Sequence, residues 1–217
     1  MNKISHERKI ITKDKLSYEL NYEDKTANVV NNEQASGQIF IPRSIEYGQD
    51  KFVVKIIKQK SFENSNTIKS IKFMLNSEVN VIEKEAFLNS TIEFLQIPKS
   101  IFKLEEGWCR GTSKLKNIQI DSNNEIYINV DNKMIVGKSD KEKLEYDELV
   151  FVRRDIKTLL IPSFINKLCK YCLSETLIEN IYIPSNIIEI GEGAFYNNNK
   201  LKKVEFYSLY FIFYIDC

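Results

Sequence analysis

One frame returns along this chain, and it limits the possible folds more than any other feature. Its clearest copy is Ile183 to Phe206, IPSNIIEIGEGAFYNNNKLKKVEF. The copy opens with Ile-Pro and places Ile187 and Ile190. It continues with Ala194-Phe195 and closes on Leu201, Val204 and Phe206. The chain holds four prolines, Pro42, Pro98, Pro162 and Pro184, and each follows an isoleucine. Proline has no N–H to give a ladder, so a proline recurring at one point of a frame marks a strand that ends there each time.

Two further markers share the frame. The first is an aliphatic residue, three residues, then a small-plus-large pair. It appears as Ile57…Ser61-Phe62, Ile82…Ala86-Phe87, Leu104…Trp108-Cys109, Leu168…Cys172-Leu173 and Ile190…Ala194-Phe195. The second is a tail of the form L-x-x-L-x-L. It appears as Ile68/Ile71/Phe73, Ile92/Leu95/Ile97, Leu115/Ile118/Ile120, Ile156/Leu159/Ile161, Ile178/Ile181/Ile183 and Leu201/Val204/Phe206. The middle residues of successive tails are 24, 23, 41, 22 and 23 residues apart, so one step carries an insertion. Alternation inside each tail has the period of a strand with one face buried. A period in the low twenties with this core is the leucine-rich-repeat signature.

The copy at Ile183–Phe206 resembles one repeat of the BspA-like leucine-rich-repeat family, whose pattern runs I-P, I-x-x-I-G-x-x-A-F, L-x-x-I-x-I. The resemblance covers roughly residues 39 to 206 and is strongest at the C-terminal end. It departs at Trp108-Cys109, at Cys169 in place of Gly191, and at Glu83 and Glu105 in the same glycine slot. It implies an α/β but β-rich fold, a right-handed solenoid with short strands on one face. It also implies a role at the cell surface, as in surface proteins of oral bacteria and mucosal protists, with adhesion to host or cell-surface protein as the expected activity.

Along the chain, residues 1 to about 14 form a mobile polar lead in this reading. Leu16 to Tyr22 and Thr26 to Val30 alternate around a Glu23-Asp24-Lys25 turn, which signals a β-hairpin. Residues 1–38 thus form a lead and an N-terminal β-hairpin cap, and residues 39–206 the repeats. A first strand falls at Gln38–Pro42, and a small insertion turns at Gly48-Gln49-Asp50. Residues 121–155 are the long insertion, expected as a β-hairpin pushed out of one repeat, with a further strand within Leu144–Val152. Residues 207–217 form an apolar tail, with FYSLYFIFYI too short to span a membrane.

Composition excludes several classes of function. The chain carries 31 basic and 30 acidic residues, so no electrostatic footprint for nucleic acid is present. No run is long enough for a membrane-spanning helix, and no secretory signal is visible at the N-terminus, which leaves a cytoplasmic location as the alternative to the surface. The single histidine, His6, sits in the polar lead and offers no triad or His-metal site. Cys169-Lys170-Tyr171-Cys172 has the spacing of half a zinc site or a redox pair, but Cys172 falls in the small slot that holds Ala194, where a packed thiol fits. Phosphate-binding glycine motifs are missing, so neither a cofactor nor an enzymatic activity is expected. Asn89-Ser90-Thr91 is a single glycosylation sequon.

In an L-x-x-L-x-L strand the x positions face outward, and stacking aligns them into columns. The expected columns run through Ser70/Lys72, Phe94/Gln96, Asn117/Gln119, Thr158/Leu160, Asn180/Tyr182 and Lys203/Glu205. The candidate binding residues are therefore Lys72, Phe94, Gln96, Asn117, Gln119, Leu160, Tyr182, Lys203 and Glu205. Phe94, Leu160 and Tyr182 are the apolar anchors among them. The alternative to a binding module is a truncated structural array with no ligand of its own.

Overall fold

The computed structural model describes residues 8–32 and 34–207, and among them the backbone is strand and turn with no helix. The helical share of an α/β fold is thus absent there. The segments after each Ile-x-x-Ile close through turns, because their paired left-handed residues forbid a helix. His6 and most of the apolar tail lie outside the described residues.

The chain opens with three antiparallel strands, β1 (Lys9–Lys13), β2 (Leu16–Asn21) and β3 (Thr26–Val30). β1 is a departure from the expected mobile lead. Asp14 and Lys15 both take positive φ, which makes the tight turn that folds β1 back onto β2. Leu16, Tyr18 and Leu20 point inward along β2, as their alternation predicts.

The repeats then lay down two parallel series. The tail strands are β4 (Ser36–Ile41), β7 (Thr67–Phe73), β9 (Phe94–Ile97) and β11 (Asn117–Ile120), which form a four-stranded parallel sheet in the order β11-β9-β7-β4. The second series is β6 (Asp50–Ile57), β8 (Val81–Ile82) and β10 (Lys103–Leu104), parallel to one another and continuing from β3. β5 (Ser44–Tyr47) folds back on β6 as a hairpin around Gly48, where the sequence places a turn.

A third edge consists of turns carrying the small-plus-large pairs. Backbone bonds tie the turns together on either side of the insertion: Phe62 N donates to Ala86 O at 2.9 Å, Phe87 N to Trp108 O at 3.1 Å, and Leu173 N to Ala194 O at 2.9 Å. Each turn bends at two left-handed residues four apart. The pairs are Lys60/Asn64, Glu85/Asn89, Gly107/Gly111, Tyr171/Glu175 and Gly193/Asn197. Asparagine and glycine suit that conformation. Gly193 meets a second demand, since a Cβ there would lie 2.4 Å from Cε1 of Tyr171.

The interior between the three edges is apolar. Ile68, Ile71, Ile92, Leu95, Ile97 and Leu115 are wholly buried, each worth roughly 2 kcal/mol by area removed from water. Phe62 stacks on Phe87 at 5.4 Å between centroids, Phe87 meets Trp108 edge-on at 6.0 Å, and Trp108 meets Phe151 at 5.9 Å. Trp108-Cys109 reverses the small-then-large order, and the indole fits because a phenylalanine from the insertion receives it. On the surface, many opposite charges sit about one repeat apart. Examples are Lys55–Glu78 (2.6 Å), Lys58–Glu83 (3.0 Å), Lys69–Glu93 (2.9 Å) and Lys202–Glu179 (2.7 Å). Such exposed pairs add little stability individually.

The insertion holds β12 (Tyr127–Val130), β13 (Met134–Gly137) and β14 (Glu148–Val152), joined antiparallel. It is not merely pushed out. β14 rejoins the stack, pairing in parallel with β15 (Lys167–Leu168), which pairs with β17 (Glu189–Ile190). Met134 to Val152 therefore contributes core residues, and Ile135, Val136, Leu149, Phe151 and Val152 are buried. The remaining tail strands, β16 (Asn180–Ile183) and β18 (Lys203–Phe206), form a separate parallel pair. Between β11 and β16, the tail Ile156/Leu159/Ile161 turns its aliphatics inward to differing depth but joins no ladder.

Candidate functional site

The four-stranded sheet presents one outward face. Its register sets Phe40 opposite Lys72, Ser70 opposite Phe94, Phe94 opposite Asn117, and Gln96 opposite Gln119. Lys72 lies between two rings, with its ammonium 5.9 Å from the centroid of Phe40 and 5.6 Å from that of Phe94. Phe40 is half exposed and Phe94 half buried. Asn117 and Gln119 are exposed, whereas Gln96 turns its Oε1 to accept the backbone N–H of Phe73 at 3.0 Å.

The other sequence-nominated residues fall elsewhere. Tyr182, Lys203 and Glu205 belong to the two-stranded pair. There Tyr182 stacks on Tyr207 at 5.9 Å, and Lys203 and Glu205 form an ion pair with each other. Leu160 lies in the segment without a ladder and is almost fully exposed. The nine residues thus do not share one sheet: five lie on the four-stranded face, three on the pair, and Leu160 between them. Phe40 was legible as an outward position of the first strand, between inward Ile39 and Ile41, yet the columns drawn from the sequence begin one strand later.

A cleft of about 540 Å³ opens where the tail series is interrupted, lined by Lys114, Lys116, Arg154, Asp155, Glu175, Leu177 and Lys200 among others. Arg154 is 2% exposed. Its Nη1 donates to the carbonyls of Val152 (3.4 Å), Cys172 (3.2 Å) and Ser174 (2.5 Å), and its Nη2 to Tyr171 O (3.4 Å) and Cys109 Sγ (3.4 Å). Cys172 O also accepts the backbone N–H of Val152 at 2.8 Å, and Tyr171 O that of Ser174 at 3.2 Å. At Ser174 O the guanidinium stands in for the backbone donor that other turns use, such as Asn64 N to Leu88 O. Its ring neighbour is Phe151, 4.4 Å from the charge centre. No sequence period marks Lys114, Arg154 or Lys200, because the insertion creates the cleft and repeats do not.

Cys169 and Cys172 are both buried. Cys172 is as enclosed as Ala194, the residue in the same slot of the next repeat. Burial pushes the Cys172 thiol up to about 12 and Cys169 higher still, with the Glu148 carboxylate adding to the rise at Cys169. Both are neutral thiols at physiological pH, poor nucleophiles and poor metal ligands. Among the described residues, no group of three or more His, Cys, Asp or Glu side chains is placed to hold a metal ion. Trp108, Tyr127, Glu148, Lys167 and Cys169 border a smaller cavity of about 180 Å³, in which the hydroxyl of Tyr127 accepts the N–H of Leu104 at 2.8 Å.

Parallel ladders laid down by successive repeats and a continuous apolar interior define a leucine-rich-repeat-type fold. The sequence model of the BspA type leucine rich repeat region matches six copies over residues 39–133 and 144–214, and the chain belongs to that family. Solved structures share the fold. The pneumococcal vaccine antigen PcpA aligns with a TM-score of 0.60 at 17% identity, over 91% of this chain and 70% of its own. A leucine rich cell surface protein from Faecalibacterium prausnitzii aligns at 0.52 and 15% identity, over 91% and 76%. A leucine-rich repeat protein from Eubacterium ventriosum aligns at 0.52 and 14%, over 91% and 71%. No curated protein matches the sequence significantly.

Proposed function

We propose that the chain is a non-enzymatic protein-interaction module that engages an extracellular or cell-surface protein through its strand face. The observation that carries the reading is the Phe40–Lys72–Phe94 cluster, an apolar and cationic group set on a rigid four-stranded sheet. Aromatic anchors on a preorganised surface are the usual source of binding energy. In this reading the repeats of residues 39–206 wind as one right-handed solenoid. Residues 1–38 cap its N-terminal end, and residues 207–217 form an appended tail. The family, and neighbours described as a vaccine antigen and a cell surface protein, support a cell-surface location in this reading.

The test immobilises the full chain and measures capture from an extracellular-matrix extract and adhesion to cultured cells. The triple variant Phe40→Ala, Lys72→Ala, Phe94→Ala should lose capture by at least about tenfold while its unfolding midpoint changes little, since these side chains are partly exposed. A second variant, Leu160→Ala with Tyr182→Ala, asks whether the two-stranded pair contributes. Equal capture by the triple variant would remove the strand face from the interaction. Absence of any capture by folded wild type would favour a structural array without its own ligand.

A further inference from the structure

We infer that two copies of this chain associate edge to edge through β4, antiparallel about a two-fold axis at Ile39. This association stands apart from the strand-face reading and does not depend on it.

The two larger sheets end in the edge strands β1 and β10, and β4 and β11. Three of these edges are closed to a further strand. At β10, the outward N–H of Leu104 donates to the hydroxyl of Tyr127 at 2.8 Å. At β11, the outward carbonyl of Ile118 accepts Nδ2 of Asn129 at 3.1 Å. β1 carries Lys9 and Lys13 at its two ends, so self-pairing about Ile11 would set lysine opposite lysine. β4 has no such guard. Met74 N donates to Ile41 O at 2.9 Å, so Ile39 and Ile41 turn their main-chain groups to β7. By alternation, Gln38 and Phe40 turn theirs to the open side. Among the described residues nothing bonds them there, and both residues are exposed, Phe40 to 50%.

The composition of the edge favours a second copy as its neighbour. Residues 35–41, ASGQIFI, carry neither charge nor proline. Uncharged, strand-prone segments of this kind pair with copies of themselves unless charges or prolines prevent it. The bulge between Gly37 and Gln38 leaves Gln38–Ile41 as the regular part of the edge. With the axis at Ile39, Gln38 of each copy lies opposite Phe40 of the other. Each such pair exchanges two N–H···O bonds, which satisfies the open N–H and C=O of Gln38 and Phe40 in both copies. No like charges meet, since an amide faces a phenyl ring. Two-fold pairs are also the commonest form of self-association. The pairing joins the two four-stranded sheets into one. The Phe40–Lys72–Phe94 clusters of the two copies then lie on a single face, on either side of the axis, and offer a repetitive partner two sites at once.

The test is sedimentation equilibrium of the full chain from about 5 to about 500 µM, since so short an edge belongs among weak interfaces. Wild type should pass from monomer to dimer within that range and go no further. Gln38→Lys with Phe40→Lys changes two exposed side chains and sets lysine opposite lysine. It should stay monomeric while its unfolding midpoint changes little. Gln38→Glu with Phe40→Glu should also stay monomeric alone. An equimolar mixture of the two charge variants should dimerise at least about tenfold more tightly than either does alone, because lysine then faces glutamate. That rescue identifies a second copy in this register. Lys72→Ala with Phe94→Ala should leave dimerisation unchanged while weakening capture at the strand face, so either reading can fail without the other. A wild type that stays monomeric to about 500 µM would overturn the inference. So would a dimer that survives both charge variants, or charge variants that the mixture does not rescue.

Discussion

At the scale of single residues, the insertion has left two kinds of buried polar group whose behaviour can be measured. Arg154 gives Ser174 O the donor that a backbone N–H supplies in the other turns. Arg154→Ala should lower stability by about 2 kcal/mol or more, because the buried Ser174 carbonyl loses its donor and the packed guanidinium leaves a void, while Cys172 O and Tyr171 O keep backbone donors. Arg154→Lys should recover only part of this, since an ammonium cannot span carbonyls on both sides of a planar fork. Urea unfolding midpoints test both, and a change under about 0.5 kcal/mol for the alanine variant would show that water replaces the guanidinium. The thiols make a prediction in pH. Burial raises Cys172 to about 12 from an ordinary 9.0, so between these values the unfolded chain releases a proton that the folded chain keeps. Stability is therefore full below about pH 9 and falls as pH rises toward 12, and the buried phenols of Tyr18 and Tyr127 act in the same sense. Cys172→Ala installs the residue of Ala194, so it should cost little at pH 7 and flatten this alkaline decline. An unchanged alkaline slope in that variant would assign the effect to the other buried groups whose protons burial holds, Cys109, Cys169, Tyr18 and Tyr127.

At the scale of elements, the repeat strands were legible because their period-two alternation states the buried face, and at β4, β9 and β16 a following proline marks the end of the strand. Leu95 and Ile97 are inward, Phe94 and Gln96 outward, as the pattern requires. What the pattern could not state is which tails would join one sheet. Register across the break depends on how the insertion packs, and residues 156–161 carry a full tail motif without forming a ladder. Nor does alternation show that Glu148–Val152 re-enters the stack, since a hairpin strand and a repeat strand look alike in sequence. The root of the insertion is held by Asn124, which is 5% exposed. Its Nδ2 donates to Pro98 O (3.0 Å) and Ile101 O (2.8 Å), while its Oδ1 accepts from Ile126 N (3.0 Å) and Tyr127 N (2.8 Å). Asn124→Asp keeps the shape and both acceptor bonds but removes the donor and adds a buried charge. It should destabilise by about 2 kcal/mol or more at neutral pH, and the loss should shrink as pH falls far enough to protonate the carboxyl. Thermal melts at pH 7 and pH 4 check this, and an equal deficit at both would assign the loss to packing alone.

At the scale of the whole molecule, stability in a stack of repeats is a sum of local terms and nearest-neighbour interfaces, so it need not be uniform along the chain. The tail residues of β9 are wholly buried, and β9 is paired on both sides, by β7 and β11. The corresponding residues of β18, Leu201, Val204 and Phe206, are only partly buried, and β18 pairs with β16 alone among the described strands. The break at residues 156–161 also removes the backbone ladder that would couple the pair to the four-stranded sheet. Opening β16 and β18 therefore exposes less apolar surface and breaks fewer ladder bonds than opening β7, β9 and β11. In native-state hydrogen exchange the amides of Lys203–Phe206 should exchange first, those of Asn180–Ile183 next, and those of Phe94–Ile97 last. The last group should approach the global unfolding free energy. The ladder β14-β15-β17 crosses the level of the break, so Leu149 and Leu168 should be protected more than Tyr182 despite lying in the same part of the chain. Uniform protection from β4 to β18 would show that this second ladder alone couples the array into one cooperative unit. The cleft at the break would then be a rigid feature of that unit, with no boundary between a stable half and a labile one.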